Sequence, residues 1–222
     1  MEILEATAVI SSGETQTKKY SAPVRLWHWL NAVVISGSLL TVLINSTVLK
    51  PWTSAGVIAG KLKEKGVNVS DDQTRSAAFA LADRVWAIHT WFGYTLIALL
   101  LFRIVLEFFE LTDQKLLRKI RSARQAFRKR QEDRIAARNE MLIKTLYALF
   151  YVFILTMAVT GLCLAFEDDV PALRSMHFIR EIHQFTMYLI LGFIVIHLAG
   201  VFLGERKRHK GIVSDMINGG KA

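Results

Sequence analysis

Four long apolar stretches dominate the hydrophobic pattern, at about Leu26–Ile44, Val85–Phe109, Leu142–Phe166 and Met176–Leu203. Each is long enough to cross the hydrocarbon core of a bilayer as one helix, which takes about 20 residues. The connections are polar. Residues 1–20 carry no periodic pattern and read as a tail, 21–205 as one four-helix membrane domain, and 206–222 as a basic tail. The pattern therefore predicts an all-α, polytopic, four-helix bundle. In the connection between the first two stretches, Ser54–Lys65 reads as a short surface helix. Asp71–Ala82 reads as a helical approach to the membrane with Ser70 as its N-cap.

Composition agrees: 52% of the 222 residues are hydrophobic. The first apolar segment follows more than twenty largely polar residues and has no small-residue cleavage site, so a retained anchor is expected rather than a signal peptide. The single cysteine, Cys163, excludes an intrachain disulfide and a cysteine-based metal site.

The net charge of +9 would suggest nucleic acid for a soluble protein, but the charges follow the connections. Lys and Arg number three in residues 1–25, ten in 111–143 and five in 205–222, against five in 45–83 and two in 167–180. By the positive-inside rule both termini and the basic loop are expected in the cytoplasm. The run 111–140 is expected either to lie on the inner surface or to extend a neighbouring span.

Ionisable groups within the spans carry the candidate chemistry, because such groups are costly in lipid and usually functional. His183 and His197 share the fourth span fourteen residues apart, which is roughly 21 Å and nearly four whole turns. They face one side, one near each membrane edge. With alternating span directions, His28 in the first span falls level with His197, and His89 in the second falls level with His183. His177 and His209 read as interfacial and solvated. Trp27 and Trp29, flanking His28, suit the headgroup boundary.

Two imidazoles at one level match the axial needs of a haem iron, which takes its other four nitrogens from the macrocycle. Zinc normally wants three or four protein ligands, and a proton relay would need closer spacing than the fourth span offers. A haem-free scaffold, with histidines hydrogen-bonding between helices, is the competing class. Arg103 and Glu107, one turn apart, fit either a self-neutralising pair or polar contacts for a cofactor. Thr160 and Gly161 suit close packing or room for a flat group.

The segment APVRLWHWLNA, the histidine opening the second span, TGLCLAF closing the third, the two histidines of the fourth and the tail SDMINGGK resemble one known family. They are similar to the di-haem cytochrome b subunits of membrane-bound nickel–iron hydrogenases, in a wider group with cytochrome b561 proteins and formate dehydrogenase membrane subunits. The resemblance covers roughly residues 20–220, with one departure: Asn139-Glu140 stands where the family often has Asn-Pro. It implies two haem b groups, held by His28/His197 and His89/His183. It implies an outer-face partner with iron–sulfur clusters and a catalytic subunit of hydrogenase type, and quinone reduction near the inner face. Arg25, Asn31 and Arg103, with Lys144 a weaker candidate, are expected as quinone or propionate contacts. A stand-alone cytochrome b561, linking a small outer-face donor such as superoxide to quinone, shares the same ligands. The acidic corner Glu167–Asp169 and Val48–Ala82 are expected to border a docking site.

Overall fold

The computed structural model describes residues 20–109, 134–207 and 211–220, and within these the chain is helical with no strand. The four spans are α1 (Ala22–Thr47), α3 (Asp71–Phe109), α4 (Arg134–Ala165) and α6 (Phe178–Lys207). Shorter helices connect or follow them: α2 (Pro51–Glu64), α5 (Pro171–Arg174) and α7 (Ile212–Asn218). Each span contains a window apolar and long enough to cross a membrane.

Local chemistry sets the boundaries. Helices α1, α2 and α5 each carry proline in the first turn, where its missing N–H has no partner to lose. Helix α3 begins at a reciprocal cap. Ser70 Oγ accepts from the Gln73 amide at 3.2 Å, and Gln73 Oε1 accepts from the Ser70 amide at 2.9 Å. The approach segment and the second span are therefore one helix of 39 residues. Helix α7 lies between Gly211 (φ 99°) and Gly219 (φ 107°), both in the left-handed region that favours glycine.

Helix α1 packs along α3, α4 along α6, and α3 also meets α4. One core cluster joins Leu100, Ile154, Ala158 and Ile190 from α3, α4 and α6. A second joins Trp27, Val34 and Leu99 from α1 and α3. Gly37 allows the close approach there: a Cβ on it would stand 2.4 Å from the Phe92 ring. Large apolar side chains such as Leu40, Leu101, Leu155, Phe185, Val195 and Phe202 point outward. A water-soluble surface does not carry so many, whereas lipid is their natural solvent. Span hydroxyls fit the same setting. Thr90, Thr95 and Thr156 each donate to the carbonyl four residues earlier and leave no donor unmet in hydrocarbon.

The 45–83 connection is a compact helical platform, not an open loop. Helix α2 packs on the first turns of α3 through Ala55, Thr74, Ala78 and Ala82, all buried. Trp52 meets Phe79 edge-on at 5.8 Å, and the Arg75 guanidinium lies 5.2 Å from the Trp52 ring centre. At the opposite end, α7 folds back on the start of α1. The Arg25 guanidinium donates to the Ile217 carbonyl, Trp29 Nε1 to the Met216 carbonyl at 3.2 Å, and the Tyr20 amide to the Gly219 carbonyl at 3.1 Å. Glu205 holds this tail by accepting from the Gly211 and Ile212 amides at 2.7 and 2.8 Å.

Two of the singled-out features gain partners within the chain. Trp27 does not face outward as Trp29 does; it is buried, donates to the Leu99 carbonyl at 2.8 Å and stacks on Tyr151 at 5.7 Å. Its indole finds both an apolar slot and an acceptor between helices. The acidic corner is already partly neutralised within the chain. Arg180 donates to Glu167 at 2.7 Å and Arg174 to Asp168 at 2.8 Å, both on the surface. The basic residues 111–133, the Glu107 side chain and His209 lie outside the described residues.

Candidate functional site

The bundle brings four histidines into two pairs, one toward each end. His28 of α1 and His197 of α6 have ring centres 6.2 Å apart at the end where the tail folds back, the tail end. His89 of α3 and His183 of α6 have ring centres 6.4 Å apart toward the platform, the loop end. The spacing within α6 puts the two levels roughly 21 Å apart along the helix. His177 is exposed and belongs to neither.

At the loop end both rings are oriented by hydroxyls from the neighbouring spans. Thr41 Oγ1 lies 2.9 Å from His89 Nδ1, with Ser38 Oγ and the Ser38 carbonyl each at 3.3 Å. Thr160 Oγ1 lies 2.9 Å from His183 Nδ1. Engaging Nδ1 in this way leaves Nε2 of each ring free, an arrangement also found behind metal-bound imidazoles. Gly161, beside Thr160, makes the room: a Cβ there would stand 3.2 Å from His183 Cε1.

The tail end is built differently. His197 lies parallel to Phe193, 5.9 Å away and 7° from coplanar, and His28 meets Trp29 edge-on at 5.2 Å. His28 Nδ1 is buried without a hydrogen-bond partner among the described residues, as are Arg25 Nε and Asn31 Oδ1 on the turns before and after it. Asn31 otherwise donates to the Trp27 carbonyl at 2.8 Å. Arg103 is buried deeper, between helices, with its Nε donating to the Tyr151 hydroxyl at 3.1 Å. Lys144 is half-buried near the same end of α4.

These residues fit a haem. Two imidazoles bound on opposite sides of one metal at about 2 Å each have ring centres roughly 6 Å apart, close to both observed separations. Among the described residues no three His, Cys, Asp or Glu side chains converge, so a zinc-type ligand set is not formed there. Sequence reasoning noted Thr160 for close packing or for room for a flat group, not as a partner of His183, and missed Thr41. The available signal was that each stands on a neighbouring span at the depth of the histidine it contacts.

The fold and its paired imidazoles describe a class: small four-helix membrane cytochromes in which histidines from different spans meet between the helices. Residues 19–219 match the family described as prokaryotic cytochrome b561, and the chain belongs to that family. Its members bind haem b and transfer electrons within membranes. No curated protein and no solved structure matches the chain.

Proposed function

We propose that this chain is a di-haem cytochrome b that carries electrons across the bacterial inner membrane to quinone, with both termini in the cytoplasm. The two imidazole pairs, 6.2 and 6.4 Å between ring centres, are the observation that carries this reading. His89 and His183 would hold the haem nearer the outer face, and His28 and His197 the one nearer the inner face. Bound there, each haem would supply a reversible one-electron couple, with His89 and His183 or His28 and His197 as its protein ligands.

The chain's own groups do the rest. The spans partly bury all four imidazoles, and Thr41 and Thr160 would fix the outer rings. Arg25 and Asn31, with buried polar atoms beside His28, offer a donor and an acceptor to a propionate or a quinone headgroup. Arg103 and Lys144 belong to the same end. Quinone pockets are apolar slots with a few placed polar groups, and the exposed apolar flanks of α1 and α6 supply the slot.

The outer-face donor is read as the iron–sulfur subunit of a hydrogenase-type complex, seated on the α2–α3 platform. A long, structured connection of this kind suits a docking role. Haem assay of the purified protein tests the core of the reading, with two haem b per chain expected and none overturning it. Co-purification tests the partner. Retention of hydrogenase subunits supports docking, whereas a haem-loaded chain reduced by superoxide alone would favour a small-molecule donor.

A further inference from the structure

The two ends differ in what stands behind the imidazoles. Thr41 uses its single hydroxyl proton on the Ser38 carbonyl at 2.5 Å, and Thr160 uses its proton on the Thr156 carbonyl at 2.6 Å. Each oxygen therefore faces its imidazole as an acceptor, and His89 and His183 must donate from Nδ1. Behind His89 the Ser38 carbonyl is a second acceptor within 3.3 Å. His28 Nδ1, buried and without a partner among the described residues, has no such support.

The geometry points to Thr41 and Thr160 as positioning residues that poise the loop-end haem at a lower potential than the tail-end haem. The inference rests on reading the pairs as axial ligands. An acceptor on Nδ1–H draws that proton outward and makes the imidazole a stronger base toward its metal. Stronger donation favours the ferric state, so the potential falls; hydrogen bonding around axial ligands is one of the protein's levers on haem potential. A ring whose Nδ1 has no acceptor lacks this effect. One electron passing from the loop end to the tail end oxidises the first centre and reduces the second, with no bond or proton moved. The threonines make that direction downhill, from the platform toward the tail.

Thr41→Val and Thr160→Val keep the side chain's shape and remove the hydroxyl acceptor, which leaves His89 only the longer contacts to Ser38 and His183 no acceptor among the described residues. Redox titration of the purified holoprotein, followed by the absorption bands and by the low-spin resonance of each haem, should show the loop-end potential rising and the tail-end potential unmoved. Together the two changes should shift the equilibrium between the centres at least about tenfold, which is 59 mV for one electron. Thr160→Ser should restore the original value. Two bound haems with unshifted potentials in the double variant would overturn the inference while leaving the ligand assignment intact. A wild-type protein without haem would instead remove the reading beneath it. If a valine variant does not retain its haem, Thr160→Ala and Thr160→Ser decide: a higher potential in the alanine variant supports the role, and equal potentials overturn it.

Discussion

The His183 ring lies against Gly161 so closely that its Cε1 would be 3.2 Å from any Cβ placed there. A methyl group forces a shift of a few tenths of an ångström, and a branched side chain adds bulk to a contact that is already tight. Gly161→Val should therefore displace the imidazole and remove the loop-end haem, leaving about one haem per chain on the reading proposed above. Gly161→Ala should keep both with a perturbed loop-end spectrum. Haem-to-polypeptide ratio and low-temperature absorption spectra measure the two outcomes, and an unaltered Gly161→Val protein would show that the ring is not held there.

His183→Ala and His197→Ala should each remove a different haem, because the two rings pair with different spans. Haem content should fall from two to about one in either variant, with complementary spectra remaining. The same spectrum lost in both variants would mean that the rings do not serve separate centres.

Gly37→Leu should loosen the α1–α3 contact. Its side chain would enter space held by the Phe92 ring, 2.4 Å from a Cβ at that position, and overpacking of this kind costs about 1–3 kcal/mol. Thermal unfolding in detergent should register the loss; wild-type stability would show that Phe92 swings aside freely.

Tyr151→Phe separates a structural role of Arg103 from a quinone role. The hydrogen bond from Arg103 Nε to Tyr151 lies within the bundle at 3.1 Å. Bonds to charged groups contribute about 1.5–3 kcal/mol, so stability should fall by that order. The KM for quinone should be unchanged if Arg103 acts through packing. A large rise in KM with stability intact would place Arg103 at the quinone instead.

A quinone-analogue inhibitor should shift the spectrum of the tail-end haem and spare the loop-end one. Arg25→Gln should weaken that inhibitor about tenfold, the effect of losing roughly 1.4 kcal/mol of polar contact. An inhibitor that perturbed only the His89/His183 centre would contradict the placement of quinone near Arg25 and Asn31.

The four spans were legible in the sequence because a bilayer imposes a length and a polarity that few other environments do. The pairing of His28 with His197 and of His89 with His183 was legible for a related reason. Alternating direction fixes the depth of each histidine once the spans are known. The burial of Trp27 was not legible, because an indole suits both an outward-facing boundary and a slot between helices, and the Leu99 carbonyl opposite it has no side-chain signature. The tail's contacts with Arg25 and Trp29 were not legible at all. They use backbone carbonyls, which every residue has, so no side-chain pattern in 212–218 announces them.

Helix α3 runs from Asp71 to Phe109 as one rod, and the platform is fastened to its first turns while His89 sits eighteen residues along it. At 1.5 Å per residue that is about 27 Å of helix between the cap and the imidazole. Rod and platform together act as a ruler. Whatever molecule rests on the platform has its distance and bearing to His89 fixed in advance by helical pitch. One residue inserted between Ala82 and Trp86 would, by pitch alone, raise the platform by about 1.5 Å and turn it by about 100°, against the 3.1 Å bond from Asn45 to the Ala82 carbonyl that ties it to α1.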